Sequence, residues 1–259
     1  MAIALTDKIV LITGASAGIG ASCARYLAEA GARLILVARR QDKLQHLADE
    51  LHSQYQTETL LLSLDVRQAA AIAAMMAKLP AHWQAIDILI NNAGLSRGLD
   101  KQYEAPLQDW EEMIDTNIKG LLYMTRAIVP GMVTRETGHI INVGSIAARY
   151  TYPGGSVYCA TKAAVKVLSE GLKIDLLGTP VRVTNIEPGF VETEFSDVRF
   201  RGDADRAKNV YKGMTPLTPD DMAEMILFAA TRPPHVNVSE IYVIPTDQSS
   251  ATLIHRRPT

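Results

Sequence analysis

Cysteine is scarce in this sequence, and the few cysteines present do not form a disulfide or metal-binding pattern. Only Cys23 and Cys159 occur among the 259 residues, with no CxxC spacing and no cluster of histidines beside them. A disulfide-stapled fold and a metal site are therefore not expected. We interpret both thiols as small buried hydrophobic groups, which is a common role of free cysteine.

The sequence also lacks a strong excess of either charge and any long apolar run. The formal net charge is −2, so no basic surface for nucleic acid or an anionic membrane is expected. No segment reaches the roughly 18 uninterrupted apolar residues of a membrane span. The N-terminus lacks the basic region and cleavage site of a signal peptide. These absences predict a cytoplasmic protein whose partner is a small molecule.

What the sequence does contain is an alternation of short apolar segments with longer segments of helical period. Such alternation is typical of βαβ units around a parallel sheet. We predict seven strands, at residues 8–13, 33–38, 59–64, 87–91, 139–144, 182–187 and 241–245. Several are apolar without interruption, as are strands covered by helices on both faces. The predicted fold is α/β, a single-domain doubly wound parallel seven-stranded sheet with helices on both faces, spanning residues 1–259.

Helices are predicted where apolar residues repeat at spacings of three and four. Two of them have stop signals: the helix near 19–30 ends at Gly31, and the helix near 160–177 ends before Gly178. The segment 194–216 breaks the rhythm, because it carries many charges and no clear period. A long excursion after the carboxyl end of a strand can form a substrate lid, and a plain surface insertion is the alternative.

A glycine-rich turn, TGASAGIG, follows the first predicted strand and opens the first predicted helix. In this context, backbone amides at the positive end of the helix can bind the pyrophosphate of a dinucleotide. Gly14 permits the tight turn, Gly18 lets the backbone approach the phosphate, and Gly20 lets the helix pack on the strand. The predicted cofactor contacts here are Gly14, Ser16, Ala17, Gly18, Ile19 and Gly20.

The end of the second predicted strand determines which dinucleotide fits. A site that prefers NAD places an acidic residue there to bond the ribose 2′-hydroxyl. Here the residues are Arg39 and Arg40, whose guanidinium groups can bind a 2′-phosphate, with Ser16 as a further contact. We therefore predict NADP as the cofactor. The alternative is that both arginines are merely solvated at the start of a helix.

Two further strand ends belong to the predicted cofactor site. Asp65, next to Val66, can accept a hydrogen bond from the adenine amino group, or it can cap the following helix. Asn92, Ala93 and Gly94 end the fourth strand, where small residues and a side-chain amide suit a bend beside the adenine ribose. A purely structural role remains open for both segments.

Tyr158 and Lys162 lie four residues apart in a segment of helical period, so both project from one face, one turn apart. The ammonium of Lys162 and the positive nicotinamide of an oxidised cofactor are predicted to lower the pKa of Tyr158 and make it an acid and base near neutral pH. Ser145, at the end of the fifth strand, can hold the substrate oxygen. Asn117, on the preceding helix, can fix a water that connects Lys162 to solvent.

TGASAGIG, NNAG, Asn117, Ser145 and YCATK stand in the order and spacing of the short-chain dehydrogenase/reductase family, and the sequence resembles that family over nearly its whole length. The resemblance implies a Rossmann fold, with Tyr158 as general acid and base. Lys162 is then expected to bind the nicotinamide ribose, Ser145 to orient the substrate and Asn117 to hold a relay water. The segment PGFVET resembles the family's nicotinamide loop, which implies cofactor contacts from Pro188, Gly189, Val191 and Thr193.

Longer stretches, such as GHIINVGS and VRVTNIEPGFVETEFSDVRFRGD, resemble the NADP-dependent 3-hydroxy acid dehydrogenase branch, which includes serine and allo-threonine dehydrogenases. This resemblance implies oxidation of the 3-hydroxyl of a small acid, or reduction of its semialdehyde or ketone, by a homo-oligomer, commonly a tetramer. A 3-hydroxy acid needs a cationic partner for its carboxylate, and the candidates are Arg149, Arg199 and Arg201. The alternatives are a general carbonyl or 3-oxoacyl-thioester ketoreductase and a nucleotide-sensing scaffold without chemistry.

Overall fold

All seven strands lie in one parallel sheet in the computed structural model, which describes residues 4–258. The strand order is β3-β2-β1-β4-β5-β6-β7. The strands are β1 (Ile9–Thr13), β2 (Arg33–Ala38), β3 (Thr59–Ser63), β4 (Ile88–Asn91), β5 (His139–Val143), β6 (Arg182–Pro188) and β7 (Glu240–Val243). Their ends differ from the predicted ones by no more than two residues, and the predicted fold class is confirmed.

The helices connect the strands and cover both faces of the sheet. They are α1 (Gly18–Glu29), α2 (Gln41–Tyr55), α3 (Ala69–Lys78), α4 (Leu107–Ile114), α5 (Leu121–Thr134), α6 (Ser156–Asp175), α7 (Phe195–Arg199), α8 (Ala204–Asn209) and α9 (Pro219–Ala230). Helix α6 begins four residues before the predicted start, directly after Gly154 and Gly155. The segment 194–216, whose sequence has no clear period, contains the short helices α7 and α8, and its role as a substrate lid stays a prediction.

Alternate residues of the central strands enter two separate cores. In β1, Val10 and Ile12 pack with α1, α2 and α9, whereas Ile9 and Leu11 pack on the side of α3 and α5. All four side chains are almost completely buried. Each such burial contributes about 1.5–3 kcal/mol. The uninterrupted apolar pattern of these strands thus follows from their position between two layers of helices.

The sheet reverses its winding direction between β1 and β4, which are neighbours although two strands separate them in sequence. In open α/β sheets, ligands bind in the crevice at the carboxyl ends of the strands at this point. The Thr13 hydroxyl accepts hydrogen bonds from the backbone amides of Asn92 and Ala93, at 3.1 and 3.0 Å. These bonds fix the end of β4 against the end of β1, and the candidate site lies beside them.

Candidate active site

A cavity of about 580 Å³ runs along the carboxyl ends of the strands. At one end it is lined by the glycine-rich turn and the end of β2, and in the middle by Ser145, Tyr158 and Lys162. The segment after β6 extends from the glycine-rich turn, where Thr193 faces Gly18, to Arg199 beside Tyr158 at the other end, and part of the C-terminal tail also lines the cavity. Its length and its mixture of backbone and polar side chains suit a dinucleotide with a small substrate beside it.

The glycine-rich turn presents free backbone amides to the cavity. Gly14 and Gly18 have positive φ angles of 67° and 53°, which an L side chain rarely adopts. Ala17 occupies the N-cap of α1 and supplies no side-chain hydrogen bond, so the first amides of the helix remain available for phosphate. The cavity is lined by Gly14, Ser16, Ala17, Gly18 and Ile19. Gly20 lies behind them, where a Cβ would overlap the carbonyl oxygen of Gly14.

Both predicted phosphate-binding arginines line the cavity at the end of β2. The Arg40 guanidinium donates to the Ser16 hydroxyl from Nε (3.2 Å) and Nη2 (3.1 Å), and to the Glu194 carboxylate from Nη1 (2.8 Å). Arg40 is therefore held in a network and is not merely solvated. Arg39 is exposed beside it, and no carboxylate of residues 4–258 lies within ion-pair distance of its guanidinium. Both groups are placed where a 2′-phosphate could reach them.

Asp65 and Val66 line the cavity after β3, but the carboxylate of Asp65 already has a partner. Arg67 donates to it from Nη2 at 2.6 Å and from its backbone amide at 3.0 Å. The Arg67 guanidinium holds the pKa of Asp65 below its ordinary value. The alternative role as a helix N-cap is wrong, because Gln68 occupies the N-cap of α3. Acceptance of a bond from adenine stays a prediction.

The segment after β4 joins the cofactor end of the cavity to the catalytic side chains. The side-chain amide of Asn92 donates to the carbonyl oxygens of Thr13 (2.9 Å) and Gly14 (3.2 Å), and these bonds stabilise the glycine-rich turn. A Cβ on Gly94 would lie 3.3 Å from Asn117 Oδ1 and 3.5 Å from Lys162 Nζ. Gly94 therefore lies where these two side chains meet, and Asn92, Ala93 and Gly94 all line the cavity.

Asn117 lies in a π-helical turn, Asp115–Gly120, between α4 and α5 and not on a regular α-helix as predicted. Its amide donates to the Leu95 carbonyl at 2.8 Å and to the Thr161 hydroxyl at 3.0 Å, and its Oδ1 accepts from the Leu95 amide at 2.8 Å. The side chain is thus bound to the segment after β4 and to α6. The relay water stays a prediction.

Ser145, Tyr158 and Lys162 meet in the middle of the cavity, and each is at least nine-tenths buried. Ser145 follows β5, and its hydroxyl accepts a hydrogen bond from the Ala147 amide at 3.1 Å. Lys162 Nζ donates to the Val143 carbonyl at 2.8 Å and lies 5.9 Å from the centroid of the Tyr158 ring. The predicted arrangement of Tyr158 and Lys162 on one helical face is therefore present in α6.

The charges around Tyr158 differ from the sequence-based expectation. Burial raises the pKa of the Tyr158 phenol, and the strongest opposing influences are the charge of Arg199 and a hydrogen bond with Ser145. Burial also lowers the pKa of Lys162 to about 8. Among this chain's own residues, Arg199 is the cation that most lowers the Tyr158 pKa, and Lys162 Nζ is bound to the Val143 carbonyl. The expected effect of Lys162 together with an oxidised nicotinamide stays a prediction.

The loop after β6 brings Pro188, Gly189, Val191 and Thr193 to the cavity wall. The Gly189 amide donates to the Val243 carbonyl at 2.7 Å, and the Phe190 amide donates to Gln248 Oε1 at 2.9 Å. The methyl group of Thr193 would lie 3.1 Å from a Cβ on Gly18. The loop thus crosses over the glycine-rich turn, and its contacts with a cofactor stay a prediction.

Only one of the three candidate substrate arginines lies at the cavity. Arg149 forms ion pairs with the buried Glu187 and with Glu240, so its prediction as a carboxylate partner is wrong. Arg201 forms an ion pair with the buried carboxylate of Asp109, so its prediction as a carboxylate partner is also wrong. Their guanidinium groups already serve carboxylates of the fold, and neither residue lines the cavity.

Arg199 lines the cavity, and its guanidinium lies 5.4 Å from the centroid of the Tyr158 ring. Nη2 donates to the Tyr152 hydroxyl at 2.9 Å. Within residues 4–258 its buried Nε has no hydrogen-bond acceptor, and no carboxylate lies within ion-pair distance of the guanidinium. Arg199 is thus a cation beside Tyr158 that can still accept an anionic ligand.

Several cavity residues were missed by the sequence reasoning. Aromatic side chains form much of the substrate end, and the C-terminal tail closes it; the residues are Tyr152, Phe190, Phe195, Tyr211, Gln248 and Arg256. Phe190, Phe195 and Arg256 lie inside stretches that carry the family resemblance, but no spacing singled out any of the six side chains as a cavity residue. Arg256 donates to the carbonyl oxygens of Val210 and Lys212, which holds the tail on the segment after α8.

The described part of the chain has no group of three His, Cys, Asp or Glu side chains arranged to bind a metal ion. In residues 4–258 no helix is both long enough and apolar enough to cross a bilayer.

The chain matches the family described as short chain dehydrogenase over residues 8–203. It is 53% identical over 250 residues to the NADP-dependent 3-hydroxy acid dehydrogenase YdfG of Salmonella typhi, covering 96% of this chain and 99% of the relative. It is 46% identical over 254 residues to the NADP-dependent 3-hydroxy acid dehydrogenase of Schizosaccharomyces pombe, covering 98% of each chain.

Two solved structures of serine dehydrogenases are also similar to this chain. The closed form of a serine dehydrogenase complexed with NADP+ superposes with a TM-score of 0.90 at 50% identity, covering 96% of this chain and 100% of the other. Serine dehydrogenase from Escherichia coli superposes with a TM-score of 0.80 at 47% identity, covering 93% and 99%. With this extent of match and the Ser145, Tyr158 and Lys162 arrangement, the chain belongs to the short-chain dehydrogenase family of oxidoreductases.

Proposed function

We propose that the protein is an NADP-dependent dehydrogenase of small 3-hydroxy acids of the serine, allo-threonine or 3-hydroxypropionate type. The observation that carries the proposal is Arg199, a guanidinium without a carboxylate partner in the described residues, 5.4 Å from the ring of Tyr158. A hydroxyl at C3 and a carboxylate at C1 are separated by a short distance, as are the Tyr158 phenol and this cation. Relatives at about 50% identity carry the corresponding names.

The cofactor end of the cavity fits NADP. The uncapped amides of α1 suit a pyrophosphate, and Arg39, Arg40 and Ser16 offer donors for a 2′-phosphate. When bound, NADP supplies the nicotinamide that takes the hydride from C3. The residues that would hold it are those of the glycine-rich turn, the end of β2 and the loop after β6.

In the oxidative direction, Tyr158 removes the proton of the C3 hydroxyl, and Ser145 orients that oxygen through its own hydroxyl. Arg199 binds the carboxylate and holds the substrate in register with the phenol. The charge of Arg199 also opposes the effect of burial on the Tyr158 pKa. In this proposal Lys162, whose Nζ is bound to the Val143 carbonyl, binds the nicotinamide ribose and carries the proton onward past Asn117.

The test is the substitution Arg199→Met, assayed with L-serine and 3-hydroxypropionate and with alcohols of similar size that lack the carboxylate. A charge-assisted hydrogen bond contributes about 1.5–3 kcal/mol, so the KM for the acids should rise roughly 10- to 100-fold while that for neutral alcohols changes little. Arg206→Met is the control, because Arg206 is exposed on α8 and lies outside the cavity.

An equal effect on acids and neutral alcohols would refute carboxylate recognition. Preferred turnover of bulky ketones or acyl thioesters, independent of Arg199, would favour the general ketoreductase instead. Absence of any NADP reduction across this panel would favour the nucleotide-sensing scaffold.

We also propose that the protein is a cytoplasmic homo-oligomer, a tetramer by resemblance. Large apolar side chains are exposed on α5 and α6, namely Leu122, Val133, Val167 and Ile174. Because contiguous exposed apolar surface marks contact sites, α5 and α6 are the proposed interface. Both cysteines are buried as free thiols, which suits a reducing compartment. Analytical ultracentrifugation of the wild type and of Ile174→Lys tests the assembly, since a monomeric wild type would refute it.

A further inference from the structure

One carboxylate, that of Glu194, is shared by two cations at the cofactor end of the cavity. Arg40 Nη1 donates to Glu194 Oε2 at 2.8 Å, and Lys43 Nζ donates to Oε1 at 2.6 Å. The same Arg40 guanidinium donates to the Ser16 hydroxyl. The three charged side chains are each a little over 40% exposed, so solvent and a ligand can reach them.

A 2′-phosphate and the Glu194 carboxylate require the same donors. A phosphate monoester carries about −1.5 to −2 charges at neutral pH and accepts bonds from several cations at once. A carboxylate that keeps its bonds to Arg40 and Lys43 would lie within a few ångströms of that phosphate, where like charges repel. The phosphate is the stronger anion of the two, so it should take over both cations.

Glu194 is also the residue that precedes α7, and α7 carries Arg199 at its other end. That other end is held by the segment after β4, because the Gly98 amide donates to the Arg199 carbonyl at 3.0 Å and Arg97 donates to the Val198 carbonyl. Helix α7 therefore extends from the cations at the cofactor end to the guanidinium beside Tyr158.

We propose that Glu194 is an internal competitor of the cofactor's 2′-phosphate, and that Lys43 is a phosphate contact in addition to Arg39, Arg40 and Ser16. Binding of the phosphate transfers Arg40 and Lys43 from the carboxylate to the nucleotide and releases the first turn of α7. The site thereby links recognition of NADP to the mobility of the segment that carries Arg199. This inference rests on the proposed NADP dependence.

The test measures binding of two nucleotides that lack nicotinamide, adenosine 2′,5′-bisphosphate and 5′-AMP, by isothermal titration calorimetry on the full chain. Glu194→Gln removes the competing charge, and we expect the bisphosphate to bind about five- to twentyfold tighter while 5′-AMP is unchanged. Lys43→Met should weaken the bisphosphate about two- to fivefold. Asp197→Asn is the matched control, because Asp197 is an exposed acid on α7 that forms no ion pair in residues 4–258.

Hydrogen exchange of α7 provides the second readout. Addition of the bisphosphate should speed exchange of the amides of residues 195–199 in the wild type, whereas in Glu194→Gln exchange should already be fast and change little. Unchanged or weaker bisphosphate binding by Glu194→Gln would overturn the competition, and slower exchange in the wild type would overturn the release of α7. A wild type that does not prefer the bisphosphate to 5′-AMP would refute the proposed NADP dependence as well.

Discussion

The cofactor end of the cavity is formed largely by backbone from two short segments, whereas the substrate end is formed by side chains from widely separated parts of the chain. At the first end, residues 13–20 and 91–94 bond to each other through amides, carbonyls and Thr13. At the second end, Tyr152, Arg199 and Gln248 come from segments that meet only in the folded protein. The first end is thus built from two short segments that each have a recognisable sequence motif, whereas the second end has no such motif and depends on tertiary packing throughout.

The largest effect on activity is expected for Tyr158, which lies where the cofactor end and the substrate end of the cavity meet. Tyr158→Phe should lower kcat by about 10²–10⁴-fold, which is the typical contribution of a general acid and base. The Phe ring can keep the contact with Phe195, whose centroid lies 5.7 Å from that of Tyr158, so binding of NADPH should persist. Steady-state kinetics and NADPH fluorescence measure the two effects. Turnover within about threefold of the wild type would contradict the assignment.

At the cofactor end, the double substitution Arg39→Ala, Arg40→Ala should raise the KM for NADP about 100-fold and leave the KM for NAD nearly unchanged. The reason is that two charge-assisted contacts to a 2′-phosphate are lost, each of which contributes about 1.5–3 kcal/mol when shielded from solvent and less when exposed. Kinetics with both cofactors at saturating substrate provide the measurement. An unchanged KM for NADP would refute the assignment of the arginines.

At the substrate end, Gly154→Ala should raise the KM for the hydroxy acid roughly tenfold while the KM for NADP stays the same. Gly154 has a φ of 72°, and a Cβ there would overlap the backbone of Leu99 in the cavity wall. Gly171→Ala in α6 is the matched control, because a Cβ at that position meets no atom within 4 Å. An equal rise in the KM for NADP would show that the two ends are not independent.

The last prediction concerns stability and not activity. Burial lowers the pKa of Lys162 to about 8, so between pH 8 and about 10.5 the unfolded chain binds more protons than the folded one, and stability rises with pH. In the ligand-free protein, Lys162→Met should therefore raise the free energy of unfolding relative to the wild type, and this advantage should be largest below pH 8. This advantage should decline by up to about 3 kcal/mol between pH 8 and 10.5. Urea denaturation of both proteins across this range measures it, and a constant difference would contradict the buried charge.

The comparison of the two ends also explains what the sequence could predict. The strands, the glycine-rich turn and the pair Tyr158 and Lys162 follow from local period and spacing, and the structure places them as expected. The choice of the arginine that binds a substrate carboxylate does not follow from the sequence, because Arg149, Arg199 and Arg201 all lie after a strand end or in the segment 194–216. Only the folded chain shows that Arg149 and Arg201 are paired with Glu187 and Asp109.

The charge balance at Tyr158 could not be predicted for the same reason. The spacing of Tyr158 and Lys162 indicates that the two side chains are close to each other. It gives no information on the Val143 carbonyl that binds Lys162 Nζ, or on Arg199 of α7, whose guanidinium lies beside the Tyr158 ring. Both effects come from residues that are distant in sequence. Burial raises the Tyr158 pKa, and the charge of Arg199 and the hydrogen bond with Ser145 oppose that rise.

The π-helical turn at Asp115–Gly120 constrains the length of the chain between α4 and α5. A π turn holds one residue more than an α turn, and one residue corresponds to a rotation of about 100° in an α-helix. Deleting a residue here would restore a regular helix but rotate α5 relative to α4, moving Met124, Ile128 and Met132 away from their buried cluster. Alternatively, if α5 kept its place, the rotation would pull Asn117 away from Leu95. Outside the buried Thr116, Asn117 and Gly120, evolution should therefore accept new side chains in this segment far more readily than a gain or loss of one residue.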